Sequence, residues 1–298
     1  MISKKTNSLQ KNDWLSGYLF ILPNFIGFFV FLALPVIIGL IISFSNYNGF
    51  RKFDFVGLKN YTKLFTDSFF RTAFKNTIFY SVTSVPLTII TSLLLAMALN
   101  KPLKKGVFFR TVYFFPSITS MIAIGIVWAI IFNPTKGPVN MLLASLGVKN
   151  LPKWLSSSKT ALPTIVLIVV WKSAGYYMIM FLAGLKSIPP SLYEAAKIDG
   201  ANSWQVFRNV TLPMLSPTTF MVTILCTISS FQVFDIINIT TEGGPGQSTK
   251  VIVYRIYEEG FKNLKFGYAS AMAYVLFLII LVITLIQFRG QKKWVSYQ

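Results

Sequence analysis

Long runs without a charged residue are the feature that most restricts what this chain can fold into. Five runs of at least 23 residues contain no Asp, Glu, Lys or Arg, and a sixth is interrupted by Lys172 alone. A helix of about 20 apolar residues crosses the hydrocarbon core of a membrane. The runs therefore predict an all-α integral membrane protein, a single transmembrane domain over 1–298. The six predicted transmembrane helices lie at about 15–44, 76–99, 112–133, 160–185, 213–238 and 267–288.

The composition also favours a membrane protein. Hydrophobic residues make up 54% of the 298 residues and charged residues 12%, whereas soluble domains are typically about 25% charged. In a soluble protein the formal net charge of +19 would favour nucleic acid as a partner. Here the basic residues lie in short segments between apolar runs, where anionic lipid head groups are the better partner. We therefore expect membrane lipid and no nucleic acid.

The charge distribution does not by itself fix the orientation. The side that carries both termini has 13 basic residues and the opposite side has 14, so a count of basic residues does not decide the orientation by the positive-inside rule. Basic residues are denser on the side of the termini, which favours termini inside the cell. The first apolar run is about twice as long as that of a signal peptide and lacks a cleavage site of small residues, which predicts an uncleaved anchor.

The 188–212 loop, between the fourth and fifth predicted spans, carries the most informative pattern. It begins with two prolines, which stop the preceding helix. Ser191 and Glu194 have the spacing of a capping box that starts a short helix, and Gly200 can end that helix in a left-handed conformation. The capping pattern repeats at Asn202 and Gln205. The loop would thus form two short helices outside the membrane, which serve either as a docking surface or as a stiff connector. A DNA-binding helix-turn-helix is disfavoured, because transmembrane spans fix both ends of the loop to the membrane.

This loop resembles the EAA loop of binding-protein-dependent ABC importer permeases. In that family Glu-Ala-Ala is followed by a glycine and then by an apolar residue and Leu-Pro. The matching residues are Glu194, Ala195, Ala196, Gly200, Val210 (more usually Ile), Leu212 and Pro213. Segments that resemble the carbohydrate-uptake branch of the family are 55–61, 109–116, 137–140, 182–185, 192–201 and 241–249. The resemblance covers nearly the whole chain.

The resemblance implies a type I ABC importer permease fold and a non-catalytic transport subunit. In this family the EAA loop is cytoplasmic and seats on a separate ATPase, so both termini would lie in the cytoplasm of a prokaryote, with the chain in its plasma membrane. Two copies of the ATPase would bind ATP and Mg, and this chain would hold no cofactor and no metal. A second permease, favoured to be a different chain, and an extracytoplasmic solute-binding protein would complete the assembly. The residues assigned to ATPase coupling are Glu194, Ala195, Ala196, Asp199, Gly200, Leu212 and Pro213.

Polar groups in the fifth predicted span are candidates for the solute pathway, because polar side chains are costly in lipid. Gln232, Asp235 and Asn238 recur every three residues, which predicts one shared helix face. Trp171 and Tyr176 lie at a similar depth in the fourth span. Together they would offer a sugar both hydrogen-bonding groups and rings; the alternative is polar contact between helices.

Two further candidates lie outside this face. Lys172 is the one clear charge within a span. It lines the transmembrane cavity, or pairs with Asp235 or with a partner subunit, or extends its amine towards the membrane–water interface. Gly243, Gly244 and Pro245 form a turn in an outer loop, which is either a contact for the binding protein or a plain reverse turn.

The function predicted is therefore that of a sugar importer permease. A permease for another solute, such as a glycerol phosphate or a polyamine, is the alternative within the same family. An ion-coupled transporter is less favoured, since such carriers often use several intramembrane carboxylates or histidines, and the chain has no histidine. An integral membrane enzyme would need convergent acids, bases or nucleophiles, which a single cysteine and one intramembrane carboxylate do not supply.

Overall fold

The protein is described here by a computed structural model that covers residues 3–50, 53–100, 106–292 and 294–295, without the side chains of 3–13 and 15. These residues form helices joined by short loops, and an isolated bridge pairs Ser45 with Phe55. The predicted all-α fold class is confirmed for this part of the chain.

Fifteen α-helices lie in the described residues, together with short π and 3₁₀ segments. They are α1 (Ser3–Phe28), α2 (Leu34–Ser43), α3 (Lys59–Thr66), α4 (Ser68–Asn100), α5 (Gly106–Ile118), α6 (Met121–Ile131), α7 (Pro138–Ser145), α8 (Ala161–Ser187), α9 (Pro190–Ile198), α10 (Ser203–Val206), α11 (Leu212–Met214), α12 (Ser216–Phe231), α13 (Asp235–Thr240), α14 (Ile252–Tyr257) and α15 (Phe266–Gln291).

Four helices are long and apolar enough to cross a membrane unbroken: Ser16–Ser43, α4, α8 and α15. The first combines α1 and α2 through a π segment, Phe29–Ala33. This segment precedes Pro35, whose missing N–H removes one regular helical bond. Two further pairs of helices reach this length and composition only when each bent pair is counted as one span, which gives up to six spans in the described residues.

The span predicted at 112–133 is not one continuous helix, because α5 and α6 meet at an angle of 98°. Ser120 between them is extended, with ψ 133°. The Ser117 carbonyl, near the end of α5, accepts a bond of 3.1 Å from Lys172 Nζ, and Ser117 Oγ donates to the Lys172 carbonyl at 2.9 Å. A carbonyl freed by the end of α5 therefore finds its partner on α8.

The span predicted at 213–238 is also not one continuous helix. A helical segment from Ser203 to Met214 meets α12 at 66°, and α12 ends at Phe231. Pro217 has no N–H to offer to the Pro213 carbonyl, which instead accepts a 2.5 Å bond from Ser216 Oγ.

Helix α8 lies at the centre of the packing, against α4, α5 and α12. A Cβ at Gly175 would lie 1.9 Å from the Tyr113 carbonyl oxygen, so a side chain there would force α5 and α8 apart. One buried cluster includes Ile165 and Ile236, and a second, towards the other end of α8, includes Phe181 and Leu215. In contrast, none of the most apolar window of Ser16–Ser43 is buried within the chain.

Candidate functional site

The 188–212 loop begins with α9, which follows Pro189 directly. Pro189 is the N-cap, and no side chain caps the helix. The capping box predicted from Ser191 and Glu194 is therefore wrong. Pro190 occupies the first helical position, where its fixed φ suits the helix, so Ser191 already lies inside the first turn.

Gly200 ends α9 as predicted. Its φ is +76°, a region that costs an ordinary residue steric strain and a glycine none. The Gly200 N–H donates to the Lys197 carbonyl at 3.1 Å, and the Ala201 N–H donates to the Ala196 carbonyl at 2.9 Å, which is a Schellman motif. The second predicted capping box is confirmed, because Asn202 and Gln205 exchange bonds of 3.0 and 2.8 Å.

The two short helices present a surface that the chain itself does not cover. Glu194, Ala195 and Asp199 are exposed, and Ala196 is half-buried. Large apolar side chains surround them, with Ile198 87% and Trp204 65% exposed. Leu192 and Leu212 are exposed as well, and Pro213 is half-buried.

Such an apolar surface marks a site of contact with another protein or with lipid. Ile198 was not among the predicted site residues, although an isoleucine just before the Asp-Gly that ends α9 is the signal that could have found it. The loop is held to the membrane helices by Ile188, which is buried in the second cluster, and by a 3.4 Å bond between Thr211 and Tyr193.

Trp171 and Tyr176 both present their rings to open space on α8. Trp171 is 45% exposed and packs edge-on to Trp128, with ring centroids 5.3 Å apart. Tyr176 is 50% exposed and lies 5.1 Å from the Tyr177 ring. Lys172, between them in sequence, is half-buried. Its amine donates to the Ser117 carbonyl.

Gln232, Asp235 and Asn238 do not share one continuous helix face, so that prediction is wrong. Gln232 is the C-cap of α12, and Asp235 is the first residue of α13. Between them Phe234 has φ −143° and ψ −59°, which no helix contains. Gln232 and Asp235 are exposed, and Asn238 is half-buried one turn beyond Asp235.

One of the alternatives considered for Lys172, a pairing with Asp235, is not formed within the described residues. The four ion pairs in the described part of the chain all involve Glu258 or Glu259. Lys172 instead joins α8 to α5 through a backbone carbonyl.

The turn at 243–245 folds back tightly on its own loop. Gly243 has φ +85°, and a Cβ there would lie 2.6 Å from Lys250 Cγ. The Gly244–Pro245 peptide is cis. Thr249 Oγ1 donates to the Gly244 carbonyl at 2.8 Å. The bond from Thr249 and the close packing of Gly243 against Lys250 hold the turn to its own loop, and a contact between it and a binding protein stays a prediction.

A charged cluster next to this turn was missed by the sequence reasoning. Glu258 accepts from Lys250 at 2.7 Å and from Arg255 at 2.5 Å, and Glu259 accepts from Arg255 at 2.7 Å. Burial raises the pKa of Glu258, but the hydrogen bonds from its two cations outweigh burial and hold that pKa below its usual value. The spacing of Arg255 three and four residues before two glutamates is the signal that could have found this cluster.

The described residues contain no group of three or more His, Cys, Asp or Glu side chains placed to hold a metal ion.

Residues 88–294 match the family described as "Binding-protein-dependent transport system inner membrane component". The chain belongs to this family. It is therefore a multi-pass membrane protein and a transport subunit, and the predicted kinship with binding-protein-dependent ABC importer permeases is confirmed.

Two curated relatives cover almost the full length. The chain is 38% identical to the "Probable ABC transporter permease protein YesP" of Bacillus subtilis (strain 168), over 99% of this chain and 96% of the relative. It is 36% identical to the "Lactose transport system permease protein LacF" of Rhizobium radiobacter, over 98% of this chain and 99% of the relative.

A solved structure shares the fold. A chain of "a bacterial ABC transporter involved in the import of the acidic polysaccharide alginate" superimposes with a TM-score of 0.85 at 28% identity, over 97% of this chain and 99% of that one. Another, from the alginate transporter "in complex with alginate pentasaccharide-bound periplasmic protein", gives 0.82 at 29% identity, over 93% of each chain. The predicted type I importer permease fold is confirmed.

Proposed function

We propose that this chain is the permease subunit of an ATP-driven sugar importer. Family membership carries the proposal, and the substrate class is supported by relatives named for lactose, for starch degradation products and for multiple sugar binding. The chain itself would hold no ATP, Mg or metal. Two copies of a cytoplasmic ATPase, a second permease and an extracytoplasmic solute-binding protein would complete the machine.

The exposed face of the 188–212 loop is the proposed ATPase contact. Ala195 and Ala196 let another backbone approach closely, and Ile198 and Trp204 add apolar area that a partner would bury. Glu194 and Asp199 add polar contacts. With this loop inside the cell, both termini are cytoplasmic.

The connections of the loop explain how ATPase movement would reach the solute. At one end α9 follows α8, which carries Trp171 and Tyr176. At the other end the helical segment from Ser203 runs into α12, which ends at Phe231 and has Gln232 as its C-cap. A displaced loop therefore acts on both helices that carry proposed pathway residues, and ATPase closure need favour one of two packings by only a few kcal/mol.

The pathway residues are proposed to contact the solute directly. Trp171 and Tyr176 offer exposed rings for the apolar faces of a sugar, and Gln232, Asp235 and Asn238 offer hydrogen bonds. Lys172 positions α5 through the Ser117 carbonyl rather than binding solute. On the opposite side of the membrane, the turn at 243–245 would meet the binding protein.

A glycerol phosphate is the second candidate solute. The chain is 33% identical to the "sn-glycerol-3-phosphate transport system permease protein UgpA" of Agrobacterium fabrum. A phosphate needs cationic contacts, and the one clear cation in the spans, Lys172, already bonds to a carbonyl. This favours the sugar.

The first test is affinity purification of the tagged chain from its native membrane, followed by mass spectrometry of co-purifying proteins. We expect a second permease and an ATPase. Ala195→Arg places a long charged side chain on the exposed face of α9 and should release the ATPase. Ala144→Arg is the matched control, because Ala144 is an exposed alanine on α7, outside the loop.

Equal retention of the ATPase by both variants would show that the loop is not the contact. The solute is then tested on the wild-type complex with its binding protein. Stimulation of ATP hydrolysis by sugars supports the proposal, whereas stimulation by sn-glycerol 3-phosphate alone would replace the sugar with the second candidate.

A further inference from the structure

An apolar groove of about 540 Å³ is lined by residues of α3, α4 and α15. Its lining includes Leu64 of α3 and Phe70 of α4, together with two residues of α15, Val275 and Ile279, which we call its floor. A second groove, of about 320 Å³, shares Val275 and Ile279 and continues along α15 to Ile283. The apolar lining therefore extends along α15 from Val275 to Ile283.

Two cations stand at the rim of this groove. Arg71 and Lys75 both line it, both are exposed, and they lie one turn apart on α4. Like charges at this spacing repel each other by a few tenths of a kcal/mol. An anion placed between them would remove this repulsion.

The described part of the chain offers these two cations no anion. Neither takes part in an ion pair within the described residues. Asp67, one turn before Arg71, accepts a 2.6 Å bond from the Tyr268 hydroxyl and a 2.8 Å bond from the Phe69 N–H. After Asp67 the sequence contains no acidic residue until Glu194.

The rim lies at the depth of the lipid head groups. The charge-free run of α4 begins at Asn76, directly after Lys75. The 33 residues of α4 span about 50 Å at 1.5 Å per residue, well beyond the ~30 Å of hydrocarbon, so its first turns project into the head-group region.

The floor of the groove lies deeper. The bond from Tyr268 to Asp67 brings the beginning of α15 next to the beginning of α4. Ile279 is 13 residues beyond Phe266, or about 20 Å along the helix axis. The groove thus runs from a cationic rim at the head groups to an apolar floor within the hydrocarbon.

We propose that this groove binds an anionic phospholipid. Its phosphate would lie between Arg71 and Lys75, and an acyl chain would lie along Val275, Ile279 and Ile283. Basic residues beside apolar grooves between membrane helices have this chemistry. A transmembrane helix of a partner is a poorer occupant, because it would leave the two cations at the rim without an anion. The proposal does not depend on which solute is transported.

The test uses the assembled transporter, purified in detergent and titrated with phosphatidylglycerol, with bound lipids counted by native mass spectrometry. In Arg71→Gln/Lys75→Gln we expect the dissociation constant of the first phosphatidylglycerol to rise about 30-fold, since each basic residue near a head group contributes about 1 kcal/mol. Phosphatidylcholine, titrated as the zwitterionic reference, should bind equally to wild type and variant.

Two variants provide controls. Lys149→Gln/Lys159→Gln also removes two exposed lysines, but neither residue lines the groove, so we expect phosphatidylglycerol affinity to stay within about twofold if only the rim charges matter. Ile279→Trp fills the floor and leaves the rim intact. It should weaken binding of long-chain phosphatidylglycerol but not of a short-chain form.

Three results would overturn the proposal. The first is an unchanged dissociation constant in the rim variant. The second is an equal loss in the lysine control, which would indicate a general charge effect. The third is an efficient disulfide crosslink between Ile279→Cys and a cysteine in the partner permease, which would show that a protein helix fills the groove.

Discussion

Replacement of Gly200 tests whether the loop couples to an ATPase or merely connects two spans. At φ +76°, a residue with a side chain costs about 1–2 kcal/mol. A Cβ at Gly200 would meet no atom within 4 Å, so the chain itself adds no steric cost. We therefore expect Gly200→Trp to insert and fold, while the indole blocks the docking face.

Gly147 provides a closely matched control. It also has a positive φ, +85°, and no atom within 4 Å of its Cβ position. It ends α7 with the same motif, because Gly147 N–H donates to Ala144 and Val148 N–H donates to Leu143, both at 3.0 Å. Gly147→Trp should therefore cost the same folding free energy on the opposite side of the membrane.

The assay is the amount of ATPase that co-purifies with each variant, normalised to the tagged chain, because it reports the inner contact alone. We expect at least a tenfold loss for Gly200→Trp, which corresponds to about 1.4 kcal/mol, and near wild-type retention for Gly147→Trp. Equal losses would mean that strain at a helix end, not docking, causes the defect. Full retention by Gly200→Trp would refute the coupling role.

Three further predictions concern packing, pH and solute. Gly175→Ala should destabilise the chain by roughly 1–3 kcal/mol, since its Cβ would overlap the Tyr113 carbonyl; an unchanged melting temperature in detergent would contradict this. Glu258→Gln should lower the melting temperature at neutral pH. Because the pKa of Glu258 is lowered in the folded chain, the difference in melting temperature between wild type and variant should persist at pH values above the ordinary pKa of 4.5 and disappear as the pH falls further. A difference in melting temperature that does not change with pH would count against the ion pairs. Trp171→Ala should raise the sugar concentration for half-maximal ATP hydrolysis about fivefold through loss of stacking, worth about 1 kcal/mol, and Trp171→Tyr should restore it; no change in Trp171→Ala would remove this residue from the pathway.

The sequence was sufficient where composition or a single backbone constraint decides the structure. The runs at 160–185 and 267–288 predict α8 and α15 closely, because a membrane helix needs only a long apolar segment. Gly200 predicts the end of α9, because few other residues tolerate its conformation. Neither prediction requires knowledge of a neighbouring helix.

The sequence failed where a neighbouring helix or a proline decides the structure. At the break after Ile118, Lys172 of α8 donates to the Ser117 carbonyl, and no local pattern records that contact. Ser191 and Glu194 have the correct spacing for a capping box, but the prolines before them fix the helix start too early. The shared helix face predicted for Gln232, Asp235 and Asn238 is interrupted at Phe234, where the backbone leaves the helical conformation. Apolar composition alone does not indicate such a change in backbone direction.

The first membrane helix has a consequence for how the chain is made. None of the most apolar window of Ser16–Ser43 is buried within the chain, although α2, at the end of this helix, packs against α15. The stability of that window therefore comes from lipid and from its own backbone bonds. The helix can therefore enter the bilayer as soon as it leaves the ribosome, before any other span exists. A chimaera carrying an unrelated apolar helix at this position should still form the α4–α8 core, and any defect should emerge only at the later stage of subunit assembly.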